Sequence, residues 1–197
     1  MRKIQSLLIF LLSLSLLACG GEGSSSTGGG ASGDATKIVA LGDSIGARGL
    51  NWPTVVMQMS GVSVPNYSKD SLKTSDFVGR VEGILAAEAP SHLMILLGTN
   101  DARVGSVSIA ISNLQAMVNI ANSMGVVAIV GTLPPSLNDS TVNARTASIS
   151  SGVRSLSGAR IANVRENLGS GAGLFPDGLH PNAKGSQIIG AAFNDRL

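Results

Sequence analysis

Short apolar runs alternate with longer segments of helical periodicity over residues 37–197 of the chain. Five of these runs have the length of strands and are rich in Val, Ile and Leu: Lys37–Leu41, Val62–Pro65, Leu93–Leu97, Val126–Val130 and Arg160–Val164. Continuous rather than alternating apolar character is typical of strands that are covered on both faces of a sheet. The pattern therefore predicts five parallel strands that are connected through helices.

The segments between the strands place apolar residues on one face of a helix. Helices are predicted from Phe77 to Glu88, from Val107 to Ala121, from Asp139 to Leu156, and after Pro181 through Phe193. Five parallel strands with helices on both faces form a three-layer, doubly wound α/β/α sandwich. Functional residues of such folds lie beyond the carboxyl ends of the strands, so polar clusters at that edge are the candidates for function.

The first 18 residues have the pattern of an export signal. Arg2 and Lys3 precede an apolar run, Ile4–Leu17, that is shorter than the roughly 20 residues of a membrane-spanning helix. The Leu-Leu-Ala-Cys sequence that ends at Cys19 resembles a bacterial lipobox. This resemblance implies an exported lipoprotein: signal peptide 1–18 is removed, and acyl chains on Cys19 anchor the protein to a membrane. A plain signal peptide or an uncleaved anchor with an unmodified cysteine is the alternative.

The composition indicates one folded domain and gives no sign of nucleic-acid binding. Residues 19–36 are rich in Gly and Ser, as flexible tethers are, which leaves residues 37–197 as the predicted domain. The chain is 44% hydrophobic, which is sufficient for a core. Without Arg2 and Lys3, the 14 basic side chains fall to 12 and equal the 12 acidic ones, and no basic patch remains for a nucleic acid.

Three polar clusters lie at the predicted carboxyl edge of the sheet. Gly42–Gly46 follows the first strand, Gly98–Asp101 follows the third strand, and Asp177–Pro181 precedes the last helix. They contain a serine in a glycine-rich turn, an asparagine that can donate to an oxyanion, and a carboxylate beside an imidazole. Each alone has a commoner structural explanation, as a turn serine, a turn asparagine or a surface histidine. Their convergence predicts that Ser44 is a nucleophile and His180 its general base.

The other candidate ligands and bases are few. The chain has two histidines, and His92 stands at the start of the third strand, away from the clusters, where a structural role is expected. His180 is therefore the one plausible base. The single cysteine, the lack of a histidine pair and the lack of spaced carboxylates provide no metal-ligand pattern, so neither a metal nor an organic cofactor is expected.

At these residues the chain resembles the SGNH hydrolases of the GDSL type, in which Gly-Asp-Ser, Gly-X-Asn-Asp and Asp-X-X-His blocks occur in this order. The resemblance includes the small bacterial thioesterase, lysophospholipase and arylesterase members and covers nearly the whole predicted domain. It implies a flavodoxin-like five-stranded parallel sheet and hydrolysis of esters or thioesters through an acyl-enzyme. It also implies a catalytic triad of Ser44, His180 and Asp177, with the Ser44 backbone amide and the Asn100 side chain in the oxyanion hole.

The second block of the family departs from its usual pattern in this chain. Family members normally offer a backbone amide from a glycine five residues after an asparagine that closes the second strand. Counted from Asn66, that position is Ser71. Any residue except proline has a backbone N–H, so Ser71 is the expected third oxyanion donor, although glycine tolerates backbone conformations that serine does not.

Supporting roles are predicted for several side chains near the three blocks. Asp43 and Asp101 are expected to brace their turns through local hydrogen bonds. Trp52 either lines the acyl site or packs in the core. Arg48 and Arg103, which flank the first two blocks, are candidates to contact a polar part of the substrate.

Three alternatives bear on function. The Gly-X-Ser-X-Gly pattern around Ser44 also matches the nucleophile elbow of α/β-hydrolases, but only one predicted strand precedes it. An acyltransferase would use the same triad, and a binding lipoprotein of the same fold would use none of it.

The expected substrate is a small-molecule, lipid or carbohydrate ester. The expected location of the enzyme is the periplasmic side of a membrane or the cell surface, where the lipid anchor holds it. The oligomeric state is not predicted.

Overall fold

The computed structural model describes residues 36–197. The predicted signal peptide, Cys19 and nearly all of the tether lie outside these residues. No helix in residues 36–197 combines the length and apolar character needed to cross a membrane.

A parallel sheet forms the centre of the described segment. Its strands are β1 (Ile38–Gly42), β2 (His92–Leu96), β3 (Val127–Gly131) and β4 (Ala159–Ala162), in the order β1-β2-β3-β4. The first three strands are buried along almost their whole length, as their continuous apolar sequences predict. The parallel α/β sandwich is confirmed, and these four strands lie within two residues of the predicted ones.

The prediction of a fifth strand at Val62–Pro65 is wrong, because the sheet of the described residues has four strands. This segment meets β1 at one bridge, where Ala40 N–H donates to Pro65 O and Tyr67 N–H donates to Ala40 O, both at 2.9 Å. Pro65 has no N–H to extend a ladder. Beyond the bridge the chain continues as a loop to Ser71 and contacts β1 once more, where Lys69 N–H donates to Gly42 O.

Helices enclose the sheet on both faces. Along the described chain they are α1 (Ser44–Ala47), α2 (Trp52–Ser60), α3 (Ser75–Val78), α4 (Val81–Glu88), α5 (Thr99–Arg103), α6 (Val107–Ser123), α7 (Ser140–Arg154), α8 (Val164–Leu168) and α9 (Ala183–Asn194). The helix predicted from Phe77 to Glu88 is divided into α3 and α4 at Gly79 and Arg80.

Helix α2 was not anticipated from the periodicity, although its ends carry recognisable signals. The Asn51 side chain caps the first turn by accepting from Thr54 N–H at 3.0 Å. Gly61 ends the helix with a φ of 70°, in the left-handed region that glycine favours. Helix α2 packs against α9, where the Trp52 and Phe193 rings stack with centroids 4.4 Å apart. Trp52 is fully buried, so it is a core residue.

Candidate active site

The turn that follows β1 holds Ser44 at the first position of α1. Asp43 caps this helix, since its buried carboxylate accepts from Ile45 N–H at 2.9 Å. A Cβ at Gly46 would lie 2.9 Å from Trp52 Nε1 and closer still to another side chain, so only glycine fits there. The sequence thus folds into a tight turn that leaves the Ser44 side chain partly exposed beyond the strand.

Ser44, His180 and Asp177 are joined in series by hydrogen bonds, although Ser44 and His180 are 136 residues apart along the chain. His180 Nε2 lies 2.9 Å from Ser44 Oγ, and His180 Nδ1 lies 2.6 Å from Asp177 Oδ2. An ionised carboxylate can only accept, so Nδ1 carries the proton of a neutral ring and Nε2 is left to accept from the Ser44 hydroxyl. This arrangement is suited to proton transfer from the hydroxyl.

The other Asp177 oxygen holds its own loop in place. Asp177 Oδ1 accepts from the backbone N–H groups of Leu179 at 2.9 Å and His180 at 2.7 Å. Hydrogen bonds from the His180 backbone, the His180 ring and the Leu179 backbone hold the pKa of the Asp177 carboxyl well below its usual range. Asp177 therefore stays ionised near neutral pH and fixes the orientation of the imidazole.

The Asn66–Ser71 loop is fastened to the turn that carries Ser44. Asn66 Nδ2 donates to Gly46 O at 2.8 Å, and Lys69 N–H donates to Gly42 O at 3.3 Å. A bidentate ion pair adds a third connection, in which Arg48 Nε lies 2.9 Å from Asp70 Oδ1. These contacts position the residue that follows Asp70 relative to the turn.

Ser71 adopts a backbone conformation that its residue type disfavours. Its φ is 65°, in the left-handed region where glycine has no steric penalty. The position at which the family pattern expects glycine therefore keeps a glycine-like conformation in this chain, although serine occupies it.

Asn100 reaches the same loop from the end of β2. It is the second residue of α5, and its Nδ2 donates to Leu72 O at 3.0 Å. Ser71 and Asn100 both line a cavity of about 510 Å³, together with Lys73, Arg103 and Val104. The structure thus brings two of the predicted oxyanion residues to one cavity.

Asp101 is buried and connects α5 to the loop ahead of α3. Its carboxylate accepts from Thr74 N–H at 3.1 Å and from Thr74 Oγ1 at 2.8 Å. Asn113 Nδ2 donates to the same hydroxyl at 3.0 Å. Asp101 thus makes bracing contacts, as Asp43 does.

A smaller cavity of about 230 Å³ lies on the His180 side, and Arg103 and Leu179 both line it. Ser136 and Asn138, in the chain after β3 where no functional residue is predicted, form part of its wall. That chain also holds the His180 loop, because Leu137 N–H donates to Gly178 O at 2.7 Å and Asn138 Nδ2 donates to Asp177 O at 3.0 Å. Neither residue lies in a recognisable motif, so periodicity and blocks could not identify them.

His92 lies at the opposite end of the sheet, at the start of β2. Its Nδ1 is 2.9 Å from Ser91 Oγ, and burial together with the nearby Arg160 lowers its pKa. In residues 36–197, no group of three His, Cys, Asp or Glu side chains is arranged to hold a metal ion.

The chain resembles known proteins in both sequence and fold. Residues 23–188 match the sequence model of the GDSL-like Lipase/Acylhydrolase family. No match was found among curated proteins. A lipolytic protein of the G-D-S-L family from Desulfitobacterium hafniense has a TM-score of 0.73 at 24% identity; the match covers 83% of this chain and 100% of that one.

Two further solved structures have the same fold. A G-D-S-L family lipolytic protein from Veillonella parvula has a TM-score of 0.70 at 20% identity, over 80% of this chain and 96% of its own. A catalytic mutant of an acetylxylan esterase from Geobacillus stearothermophilus has a TM-score of 0.68 at 16% identity, over 80% and 93%. At these identities the likeness extends to the fold, whereas the family match spans most of the sequence. From that match, the chain belongs to the GDSL-like lipase/acylhydrolase family and is an ester hydrolase.

Proposed function

We propose that the protein hydrolyses carboxylic esters or thioesters through an acyl-enzyme formed on Ser44. The observation that carries the proposal is the 2.9 Å approach of His180 Nε2 to Ser44 Oγ, with Asp177 hydrogen bonded to the far side of the ring. A serine hydroxyl becomes an effective nucleophile when a positioned base takes its proton.

In the first half of the reaction Ser44 Oγ attacks the acyl carbonyl carbon while its proton passes to His180 Nε2. The resulting oxyanion accepts hydrogen bonds from the backbone amides of Ser44 and Ser71 and from the Asn100 carboxamide. Asn100 has two N–H groups, and since only one donates to Leu72 O, the other is free for this role. The tetrahedral intermediate then expels the alcohol or thiol, which takes the proton from His180.

In the second half a water molecule attacks the acyl-enzyme, and His180 again accepts the proton. Collapse of the second tetrahedral intermediate releases the carboxylic acid and returns the proton to Ser44 Oγ. Asp177 stays ionised throughout and stabilises the imidazolium that forms in each half.

Substitution of the proposed catalytic groups tests the mechanism. With p-nitrophenyl acetate and octanoate as substrates, we expect Ser44→Ala and His180→Ala to lower kcat by about 10⁴-fold or more. Asn100→Ala should lower it by about 10²- to 10³-fold, as expected for one oxyanion donor. Ser123→Ala, an exposed serine at the end of α6, is the matched control. Undiminished activity in the Ser44 or His180 variant would contradict the assignment.

A fluorophosphonate probe separates the enzyme from a binding protein of the same fold. Labelling that is present in the native chain and lost in Ser44→Ala supports the nucleophile. Product analysis with an acceptor alcohol present distinguishes transfer from hydrolysis, because a transferase would yield a new ester.

We also propose that the enzyme is exported and held at a membrane through acyl chains on Cys19. The support is the Leu-Leu-Ala-Cys sequence after a basic start and an apolar run. Metabolic labelling with a radioactive fatty acid should mark the native chain, and Cys19→Ser should abolish the label. Equal labelling of both chains would refute acylation at Cys19.

A further inference from the structure

Two cationic side chains line the cavity beside the proposed oxyanion donors. Lys73 and Arg103 line this cavity, which has a volume of about 510 Å³, together with Ser71, Asn100 and the exposed Val104. A volume of this size accommodates a small ligand. An ester whose carbonyl oxygen reaches Ser71 and Asn100 is therefore bound next to a space that both cations also border.

Within residues 36–197, neither cation forms an ion pair with a carboxylate. The ion pairs of residues 36–197 join Lys37 to Glu88, Arg48 to Asp70, Arg154 to Glu166 and His180 to Asp177. Arg48, the other arginine that flanks the sequence blocks, is thus occupied by Asp70. Lys73, for which the sequence predicts no role, is left together with Arg103 to face the cavity.

The nearby aspartates are engaged with other groups. Asp76 accepts from the Lys73 backbone N–H at 2.7 Å, and the buried Asp101 accepts from Thr74. Asp139, which lines the smaller cavity on the other side of Arg103, caps α7 by accepting from Val142 N–H at 3.0 Å. No acidic side chain of residues 36–197 lines the larger cavity. Within the described chain, its charged wall is cationic only.

The backbone segments that carry the two cations are connected to those that carry the oxyanion donors. Lys73 is two residues from Ser71 in a loop that Asp101 holds through Thr74. Arg103 is three residues from Asn100 on α5, a spacing that places both side chains on one side of the helix. The backbone positions of both cations are therefore set by the same short segments that carry the oxyanion donors.

We propose that the preferred ester carries an anionic group, a carboxylate or a phosphate, which binds between Lys73 and Arg103. An unneutralised pair of cations in a concave site attracts and holds an anion. The inference rests on the proposed function, because it takes Ser71 and Asn100 as the oxyanion donors. Hydrolysis adds water across the ester bond, and one of its two products keeps the anionic group.

The test compares charged and neutral esters of matched size. Monomethyl succinate against methyl butyrate places the anion in the acyl part. 4-Acetoxybenzoate against 4-acetoxybenzamide places a carboxylate in the alcohol part. 4-Acetoxyphenyl phosphate, compared with the same neutral amide, places a phosphate there. We expect at least one charged ester to be hydrolysed with a kcat/KM about 10-fold or more above that of its neutral partner. The preference should decrease as ionic strength rises.

Variants assign the preference to the two side chains. Lys73→Gln/Arg103→Gln should lower kcat/KM for the favoured charged ester by about 10-fold or more and leave its neutral partner within about twofold. Lys184→Gln/Arg196→Gln removes an exposed lysine and an exposed arginine outside the cavity and is the control for net charge. The single variants Lys73→Gln and Arg103→Gln are measured in the same way, and thermal unfolding shows whether each variant is folded. This separates a loss of charge from a loss of structure in the double variant.

Each result has a distinct meaning. Equal kcat/KM for all charged and neutral partners, or an equal loss in the Lys184/Arg196 control, overturns the anionic substrate while hydrolysis itself stands. Failure to hydrolyse every ester, together with no fluorophosphonate labelling of Ser44, refutes the proposed function instead.

Discussion

The Asp43 carboxyl gives the free energy of unfolding a pH dependence that a single substitution should remove. Its side chain is 1% exposed and accepts one hydrogen bond from Ile45 N–H. Burial raises the pKa of Asp43 from 3.8 to about 6, because desolvation disfavours the charged form more than the local hydrogen bond favours it. The folded chain therefore keeps a proton on Asp43 at pH values where the unfolded chain has released it.

The sign and size follow from this difference in proton binding. The stabilisation by the proton is fully present below pH 3.8 and is lost as the pH rises through about 6. At about 1.4 kcal/mol per pKa unit, the full effect is about 3 kcal/mol. Between pH 4.5 and 7.5 we expect this contribution to the free energy of unfolding to fall by about 2 kcal/mol, because part of the stabilisation is already lost at pH 4.5.

Asp43→Asn isolates this contribution, because asparagine keeps an oxygen that accepts from Ile45 and cannot ionise. Urea unfolding is followed by fluorescence of Trp52, the only tryptophan, which is buried against Phe193. From pH 4.5 to 7.5 the stability of Asp43→Asn should rise by about 2 kcal/mol relative to the native chain. The exposed Asp195, substituted in the same way, is the control. Parallel pH profiles for Asp43→Asn and the native chain would refute the reasoning.

Three further predictions concern the turn and loop around the site. Ser71→Gly should raise the free energy of unfolding by about 0.5–1 kcal/mol in urea titrations, since relief of the left-handed serine exceeds the added entropy of the unfolded chain. Because the ion pair between Arg48 and Asp70 positions the Asn66–Ser71 loop, Arg48→Ala should lower kcat severalfold, and the exchanged pair Arg48→Asp/Asp70→Arg should restore part of it. An unchanged kcat in Arg48→Ala would count against this role. Gly46→Ala should destabilise by about 1–3 kcal/mol because its Cβ has no room, whereas Gly83→Ala, in open space on α4, should stabilise by about 0.5–1 kcal/mol.

The sequence predicted the buried strands well because continuous apolar character reports burial directly. β1 and β2 are each displaced by one residue from the predicted Lys37–Leu41 and Leu93–Leu97. The same criterion failed at Val62–Pro65, where Val64 is buried but Pro65 cannot extend the hydrogen-bond ladder. Burial and strand pairing are different properties, and apolar periodicity measures only the first.

The candidate site was predictable where short blocks leave the ends of strands. Ser44 follows β1 and Asn100 follows β2 because parallel topology brings those ends to one edge. The partner of Arg48 was not predictable, since Asp70 belongs to an irregular loop 22 residues away. The same holds for the exposure of Lys73 to a cavity, which depends on how that loop folds.

The two oxygens of Asp177 join the acid and the imidazole into one structural body. One carboxylate oxygen is tied to the backbone of its own loop and the other to the ring of His180, so acid and imidazole keep one relative position. Asn138 holds that body from outside through the Asp177 carbonyl. A change at Asn138 would thus alter the reach of the imidazole toward the hydroxyl while its pairing with the acid is preserved.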